Sequence, residues 1–266
     1  MLELYHHGSS ACAAKVRFAL EEKQLEWAGH YVDILAGEQF SDEFTAINPK
    51  AVVPVLVHDG FIVPESTVIC EYIDEVFPQC AIYPQSPQLR AQARLWAKAV
   101  DEELHPACSA LTYIVSHRHT ILRNGSGNFE DFLAKGRNEG RAARERKWLW
   151  IQQGIEAPGA GDFFRLYAGY LQKMEAALEN TSWLVGESLT MADVAMAPYL
   201  YRLECLALER LWTHGRLPNV DRWYQAISGR DTFAAAFRKW LPEELAAEMR
   251  ANGERSAEQV EALLAT

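Results

Sequence analysis

Two serines and a cysteine stand together in the run Gly8-Ser9-Ser10-Ala11-Cys12, between a short strand-like segment and the first helical pattern. A helix N-terminus carries unpaired backbone N–H groups and the positive end of the helix dipole, which favour anions and lower the pKa of a nearby thiol. The run is therefore suited to holding or forming a thiolate. In the alternative interpretation, a serine only caps the helix and Cys12 is a small buried side chain.

A second run of interest is Lys50-Ala51-Val52-Val53-Pro54, in which a proline interrupts a strand-like segment. Proline cannot donate a ladder hydrogen bond, so it occurs at a sheet edge, at the start of a strand or in a cis turn. Backbone N–H and C=O groups left unpaired at such a break can bind an extended peptide.

The third run, Pro64-Glu65-Ser66-Thr67, directly precedes a helical pattern. Ser66 and the first N–H groups of that helix can bind a carboxylate, and Glu65 can bind an amine. A capping serine followed by the helix, with a solvated glutamate before it, is the alternative.

These runs must be positioned by the elements between them. Strand patterns at 2–5, 30–34, 52–57 and 61–63 and helical patterns at 11–22, 38–46 and 66–77 follow in the order βαβαββα, with Asp59-Gly60 as a hairpin turn. This order predicts a small α/β domain with a mixed sheet. After Pro87 the patterns at 88–122, 162–180, 190–212 and 219–239 are all helical, and the tail 242–266 is helix-prone.

We therefore predict an α/β domain over 1–80, a proline-containing linker over 81–88 and an all-helical domain over 89–266. Glycine-rich breaks around 124–128 and 154–161 mark off an inserted segment at about 124–161. Charge supports two domains: residues 1–80 hold thirteen acidic and four basic side chains, whereas 135–147 hold six basic and two acidic ones.

Composition narrows the class of protein. The 266 residues are 49% hydrophobic and carry a net charge of −10, which excludes a disordered tail and argues against a nucleic-acid or membrane-surface binder. Five cysteines without a C-x-x-C pair or a histidine cluster predict neither a disulfide framework nor a metal site. With neither a signal peptide nor a membrane span recognised, we expect a cytoplasmic location.

Together, the three runs resemble the thioredoxin-like half of the cytosolic glutathione transferases, and those of the zeta class in particular. Ser10-Ala11-Cys12 before Val16-Arg17-Phe18-Ala19-Leu20 is similar to the class motif Ser-Ser-Cys before V-R-x-A-L. The segment from Gln39 to Pro49 resembles Q-F-S-x-x-F-x-A-x-N-P, and Val53-Pro54-Val55-Leu56 resembles the cis-proline loop of the family.

The helical half also resembles this family. Residues 186–193 are similar to its G-x-x-x-[ST]-x-A-D box, in which Thr190 would cap a helix, and 218–223 to its P-x-[VIL]-x-x-W segment. The resemblance implies a thioredoxin-like domain, a helical bundle, glutathione as co-substrate, no metal and a homodimer. It covers about residues 1–240.

Two subfamilies are resembled within the family. Glu65 to Tyr72, Val76-Phe77-Pro78 and the segment around Arg146-Lys147-Trp148 look like bacterial glutathione-dependent β-aryl etherases of lignin catabolism. Lys50 to Val53, taken with Ser10 to Cys12, looks like reductive dehalogenases of chlorinated hydroquinones. The electrophile could therefore be an aryl ether or another hydrophobic aromatic compound.

The resemblance implies a role for each site residue. Ser10 would donate a hydrogen bond to the glutathione thiolate, with Ser9 also available, and Cys12 would instead act by forming a mixed disulfide in a dehalogenase or isomerase. For the remainder of glutathione, the implied contacts are Gln39 at the glycyl end or the backbone, Val53 beside Pro54 at the cysteinyl amide, and Glu65 and Ser66 at the γ-glutamyl group. Lys50 would bind the glycyl carboxylate or, alternatively, be a solvated loop lysine.

Candidates for an aromatic wall that would receive the electrophile lie in the helical half, although aromatic residues at helical spacing are also typical of a core. They are Trp96, His105, Tyr113, His117, Trp148 and Trp150. Arg141, Arg144 and Lys147 could steer an acidic substrate or form a solvated face. A non-catalytic binding scaffold is a further alternative.

Overall fold

A four-stranded mixed sheet organises the first part of the chain in the computed structural model, which describes residues 1–34, 36–123 and 140–265. The strand order is β2-β1-β3-β4; β1 and β2 are parallel, and the other two pairs are antiparallel. The strands are β1 Leu2–His6, β2 Ala28–Tyr31, β3 Val55–His58 and β4 Phe61–Pro64.

Three α-helices connect and follow these strands. Their bounds are α1 Ala11–Glu22, α2 Asp42–Ile47, preceded by a 3₁₀ turn at Glu38–Phe40, and α3 Ser66–Val76. The order βαβαββα confirms the predicted thioredoxin-like domain. Strand β2 ends at Tyr31 rather than at residue 34 because its partner β1 ends opposite, at His6. Strand β3 begins after Pro54, which has no N–H to donate to the ladder.

The rest of the chain is helical, and the described residues after β4 contain no strand. Two π-helical turns, at Val100–Leu104 and Tyr113–His117, join the first three helices of this part into one run. The helices are α4 Pro87–Ala99, α5 His105–Thr112, α6 Arg118–Arg123, α7 Arg141–Gln153, α8 Ala160–Ala177, α9 Met191–Cys205, α10 Pro218–Ser228, α11 Asp231–Phe233 and α12 Glu243–Leu264.

The chain divides into two compact units. Unit 1 comprises Met1–Asp101, Ala177–Tyr199 and Asp221–Pro242; unit 2 comprises Glu102–Ala176, Leu200–Val220 and Glu243–Thr266. Unit 1 thus includes late segments that pack on α1: Phe18 lies against Phe233 and Phe237, and Arg230 makes two 2.7 Å bonds to Glu22. The domain limits at 80 and 89 stay a prediction from sequence pattern.

The start of α9, within unit 1, is held by a buried carboxylate. Asp193 accepts hydrogen bonds from the backbone N–H groups of Leu184 and Thr190, from the Thr190 hydroxyl and from the Trp223 indole, all at 2.8–3.1 Å. Burial raises the pKa of Asp193, and these four donors oppose the rise. The two helical-half motifs found in the sequence therefore meet at one carboxylate.

Helix α12 is docked within unit 2. Glu248 accepts 2.6 Å hydrogen bonds from Thr120 and Arg123, and the Asn252 amide lies 3.3 Å from the Ser116 hydroxyl. A Cβ atom on Gly253 would lie 1.7 Å from the Leu206 carbonyl oxygen, so only glycine permits this close approach. The acidic tail is thus part of the folded unit, although the sequence left its docking open.

The predicted insert falls partly outside the described residues, since 124–139 are not among them. Its described part forms α7 and the 3₁₀ turn Gly154–Glu156. None of the described helices is both long and apolar enough to cross a bilayer.

Candidate functional site

One edge of the sheet gathers the three sequence runs. The pairs His6–Tyr31, Tyr5–Val55 and Val55–Pro64 are in register. The ends of β1, β2 and β4 and the beginning of β3 therefore share this edge. The turn before α1, the Val53–Pro54 loop and the start of α3 all emerge there, which brings together residues that are far apart in the sequence.

Ser10 is the N-cap of α1. Its hydroxyl oxygen accepts the Ala13 N–H at 3.2 Å, and the residue is half-buried. Because the cap uses only the oxygen as acceptor, the hydroxyl proton is available for donation to a ligand. Ser10 has the chemistry that a thiolate requires at a helix N-terminus.

Cys12 lies in the first turn of the same helix and is also half-buried. Its Sγ is 3.9 Å from the Tyr199 hydroxyl. Burial raises the pKa of Cys70 to about 12 and that of Cys205 to about 11, which leaves these two thiols protonated. Cys12 is therefore better suited than either of them to thiolate chemistry.

Ser9 has a different partner. Its hydroxyl lies 3.0 Å from His7 Nδ1, and its backbone N–H donates to the same nitrogen at 3.2 Å. His7 is buried, and its Nε2 is 3.9 Å from Asp33 Oδ1. The sequence reasoning weighed Ser9 but missed His7 and Asp33. The adjacent histidines His6 and His7 are visible in the sequence, but the sequence does not indicate which of the two rings turns toward the serines.

A buried arginine shapes this turn. Arg17 donates to the carbonyl oxygens of His7 at 3.1 Å, Gly8 at 3.3 Å and Ala236 at 2.7 Å. Arg17 also lies 3.3 Å from His6 Nδ1; burial and this cation lower the pKa of His6 to about 3, so His6 stays neutral. Arg17 belongs to the recognised V-R-x-A-L motif, yet the sequence reasoning assigned it no role.

Close packing fixes the turn from the other side. A Cβ atom on Gly8 would lie 1.9 Å from the Trp240 carbonyl oxygen, so a side chain here would force the two segments apart. The Trp240 ring also lies edge-on to His6, with 4.5 Å between the ring centroids.

The Val53–Pro54 peptide is cis, as the family resemblance implied. Asn48 shapes the loop before it by donating to the Val52 carbonyl at 2.8 Å and accepting the Lys50 N–H at 3.1 Å. In the described part of the chain, Val53 itself makes no backbone hydrogen bond. Its N–H and C=O are thus open to an extended peptide ligand.

The start of α3 combines a strained residue with an anion-binding terminus. Glu65 has a φ of 70°, a region that non-glycine residues rarely adopt and that occurs often at ligand clamps. Lys50 Nζ lies 2.6 Å from Glu65 Oε1, and this hydrogen bond raises the pKa of Lys50. Ser66 is buried as the first residue of α3.

The buried side chain of Lys15 contacts the first turn of α3. Lys15 Nζ donates to Thr67 Oγ1 at 2.9 Å and to Asp101 Oδ1 at 2.8 Å. Because Asp101 balances the charge of Lys15, the start of α3 attracts a carboxylate through its backbone N–H groups and the positive end of the helix dipole.

Gln39 lies in the 3₁₀ turn after β2. Its amide nitrogen donates to the Ile34 carbonyl at 3.3 Å, while its Oε1 is buried without a hydrogen-bond partner in the described structure. A buried acceptor without a donor is costly, which makes this oxygen a fitting receptor for a peptide N–H.

The six aromatic candidates are divided between the two units. Trp96 belongs to unit 1 and the others to unit 2. Within unit 2, Lys147 Nζ lies 4.8 Å above the Tyr113 ring, whose centroid is 5.6 Å from that of His117. Trp150 is buried against Phe163, so it is a core residue.

The basic candidates are represented by Arg141, and metal-ligating side chains form a separate point. Arg141 is exposed and pairs with Glu145 at 2.8 Å along α7, which is typical of a solvated face. Over residues 1–34, 36–123 and 140–265, no three histidine, cysteine or acidic side chains are grouped as metal ligands would be.

Comparisons with known proteins agree with this geometry. The model for the glutathione S-transferase N-terminal domain matches residues 9–76, and that for the C-terminal domain matches residues 164–231. Protein LigF from Sphingobium is 31% identical over 249 residues, covering 92% of this chain and 96% of LigF. The crystal structure of the β-etherase LigF superposes with a TM-score of 0.77 at 28% identity, covering 90% of this chain and 99% of LigF.

Isomerases are also similar to this chain. The maleylacetoacetate isomerase of Rattus norvegicus is 26% identical over 205 residues, covering 76% of this chain and 77% of the isomerase. Proteins of the glutathione S-transferase family use glutathione as co-substrate. By its domains, its relatives and its fold, the chain belongs to the glutathione S-transferase family and is a glutathione transferase enzyme.

Proposed function

We propose that this enzyme cleaves β-aryl ethers by attack of the glutathione thiolate on the ether carbon. The S–C bond forms as the C–O bond breaks, and the aryloxide leaves and takes up a proton. The observation that carries the proposal is the half-exposed Ser10 hydroxyl, whose proton is available for donation at the start of α1. The similarity to the β-etherase LigF over nearly the whole chain supports the choice of electrophile.

Ser10 supplies the activation. A free thiol has a pKa of about 8.5, so only a few per cent is ionised at neutral pH. A charge-assisted hydrogen bond of about 1.5–3 kcal/mol lowers that pKa by about 1–2 units. The helix dipole of α1 acts in the same direction.

The remainder of glutathione is held along the sheet edge. The Val53 backbone pairs with the cysteinyl amide, Gln39 Oε1 accepts a peptide N–H, and the start of α3 with Glu65 and Ser66 binds the γ-glutamyl carboxylate and amine. These assignments rest on the open groups of Val53 and Gln39 and on the buried Ser66 at the N-terminus of α3.

Lys50 is better assigned to the γ-glutamyl end than to the glycyl carboxylate. It is bonded to Glu65, and the two ends of an extended tripeptide are roughly 10 Å apart. One lysine cannot keep this bond and also reach the glycyl end. In the proposed complex, the γ-glutamyl amine competes with Lys50 for Glu65.

Within unit 2, Tyr113, His117 and Lys147 form a cluster of two aromatic rings and a cation. Two aromatic rings and a cation suit an aromatic, acidic compound.

The test is incubation with glutathione and a panel of three compounds: a β-aryl ether dimer, a chlorohydroquinone and a maleyl compound. We expect a phenol and a glutathione thioether from the first. Ser10→Ala should slow this turnover about 10–100-fold, whereas Ser86→Ala, which removes the cap of α4, should keep it. Turnover of only the maleyl compound or the chlorohydroquinone would contradict the proposal, and binding of glutathione without any turnover would favour the scaffold alternative.

A second candidate is a reaction carried by Cys12, as in an isomerase or a reductive dehalogenase. It is favoured by the half-buried Cys12 thiol in the first turn of α1 and by the isomerase relatives. Cys12→Ser separates the two candidates, because full activity of this variant excludes a mixed disulfide at Cys12.

A homodimer and a cytoplasmic location belong to the same proposal. Exposed apolar side chains on β4 and α3, namely Phe61, Ile62 and Val68, support an interface between two copies. Sedimentation of the purified protein would show a mass of twice 30.0 kDa if the dimer forms.

A further inference from the structure

We propose that His7, assisted by Asp33, receives the proton of the glutathione thiol through the Ser9 hydroxyl. This inference rests on the proposed function, because it requires glutathione to bind at the turn before α1. It divides the work of the two neighbouring serines: Ser10 stabilises the thiolate, and Ser9 conducts the proton that the thiolate leaves behind.

The hydrogen bonds of the turn define which nitrogen of His7 is the acceptor. The backbone N–H of Ser9 donates to Nδ1 at 3.2 Å, so this nitrogen carries a lone pair and the ring proton is on Nε2. The Ser9 hydroxyl, 3.0 Å from the same lone pair, therefore donates its proton to it. A hydroxyl oxygen that donates its proton still has lone pairs with which to accept, and a thiol is a donor.

Asp33 lies on the other side of the ring. Its Oδ1 is 3.9 Å from Nε2 and also accepts the Ala36 N–H at 3.0 Å, while the Asp33 N–H donates to Glu38 at 2.7 Å. The carboxylate is thus fixed by its own turn. When Nδ1 takes up a proton, Nε2–H carries positive charge toward a carboxylate at ion-pair distance.

Other groups near the ring are compatible with a positive charge on it. Neutral His6 on β1 precedes it, and the Tyr31 ring on β2 lies 5.1 Å away, centroid to centroid. Arg17 on α1 is the opposing cation, but it donates to the His7 carbonyl rather than to the ring. The Asp33 carboxylate offsets the positive charge of Arg17.

The proton is conserved through the reaction. The thiol proton passes to Ser9 Oγ as the Ser9 hydroxyl proton passes to Nδ1, which yields a thiolate, an intact serine and an imidazolium. The Ser9 backbone N–H loses its acceptor in this state, at a cost of about 1 kcal/mol, and the imidazolium beside Asp33 keeps the proton until the aryloxide forms. The proton ends, through water, on the aryloxide, which leaves as the phenol.

Counting protons tests the inference. Calorimetric titration with glutathione at neutral pH, in buffers of different ionisation enthalpy, gives the protons released per molecule bound. Ultraviolet absorbance gives the thiolate formed. If His7 takes the proton, the wild type forms more thiolate than it releases protons, with a difference approaching one for complete ionisation.

Two variants should abolish that difference. Ser9→Ala removes the conducting hydroxyl, and Asp33→Asn removes the charge while its amide oxygen can still accept the Ala36 N–H. Both residues are at least partly exposed, so both variants should fold. In each, every thiolate formed should release one proton, and kcat/KM should fall about 100-fold in Ser9→Ala, at the lower end of general-base contributions.

Controls separate the possible failures. Ser86→Ala should behave as the wild type, and S-methylglutathione, which has no thiol, should exchange equal numbers of protons with all variants. Full proton release by the wild type would overturn the role of His7 and leave the role of Ser10 intact. If no thiolate forms in the wild type, the proposed function and this inference fail together.

Discussion

The N-termini of α1 and α9 are both capped by polar side chains, but the two caps leave different groups available. At α9, Thr190 and Asp193 are buried, and four donors converge on the Asp193 carboxylate. At α1, Ser9 and Ser10 are half-exposed, and the Ser10 proton is not used by the cap. A saturated terminus stabilises the fold, whereas one with remaining donors can bind a ligand.

The largest effect should follow from breaking the saturated terminus. Asp193→Ala leaves several buried donors without an acceptor, at about 1–3 kcal/mol each, so we expect the free energy of unfolding to fall by about 4 kcal/mol. Urea unfolding measures the loss. Asp193→Asn keeps one acceptor and should lose less. A loss below about 1 kcal/mol for the alanine variant would remove the basis of the comparison.

At the start of α1, substitution of the capping serine should lower catalytic efficiency more than stability. Ser10→Ala removes a charge-assisted hydrogen bond to the thiolate, so kcat/KM should fall about 10–100-fold. Stability should fall by only about 1 kcal/mol, the usual contribution of an N-cap. Initial rates and urea unfolding measure the two effects. Equal activity of Ser10→Ala and Ser86→Ala would show that the hydroxyl acts only as a cap.

His6, just before the turn that holds Ser9 and Ser10, should make stability depend on pH. Its pKa is about 3 in the folded protein and 6.5 by its ordinary value, so the unfolded chain binds a proton that the folded one excludes. The free energy of unfolding should fall below pH 6.5 by up to about 1.4 kcal/mol per unit. His6→Asn can still accept from Arg17 and should show a shallower slope between pH 6.5 and 5. An identical slope would contradict a neutral His6.

The smallest effect should come from the exposed pair at a third helix terminus. Lys50→Ala removes an ion pair with Glu65 whose two side chains are largely exposed, and such pairs contribute about 0–1 kcal/mol. We expect the KM for glutathione to change less than about threefold. A tenfold increase would instead assign Lys50 to a glutathione carboxylate.

Much of the fold followed from local pattern. The order βαβαββα, the hairpin at Asp59-Gly60 and the capping box at Thr190 depend on residues close in sequence, and the structure contains each of them. Strand limits were less accurate, because the end of β2 is set by the end of β1.

The site was harder to predict in detail. Spacing indicated that Ser9, Ser10 and Cys12 begin a helix, but not that the Ser9 hydroxyl meets His7, since that depends on how the ring turns after β1. The bond between Lys50 and Glu65 joins residues that the sequence assigned to opposite ends of glutathione. Side-chain orientation and long-range pairing decide both cases, and neither is a property of local spacing.

The close approach of Gly8 to Trp240 bears on how this protein can be divided. A fragment of residues 1–80 has the sheet and all three sequence runs, but it lacks the Ala236 carbonyl that accepts from Arg17 and the Trp240 ring that lies against His6. Such a fragment would expose a buried guanidinium and release one side of the serine turn. A fragment with residues 1–80 that is expressed alone, or transplanted into another chain, would therefore have to include residues 221–242 as well.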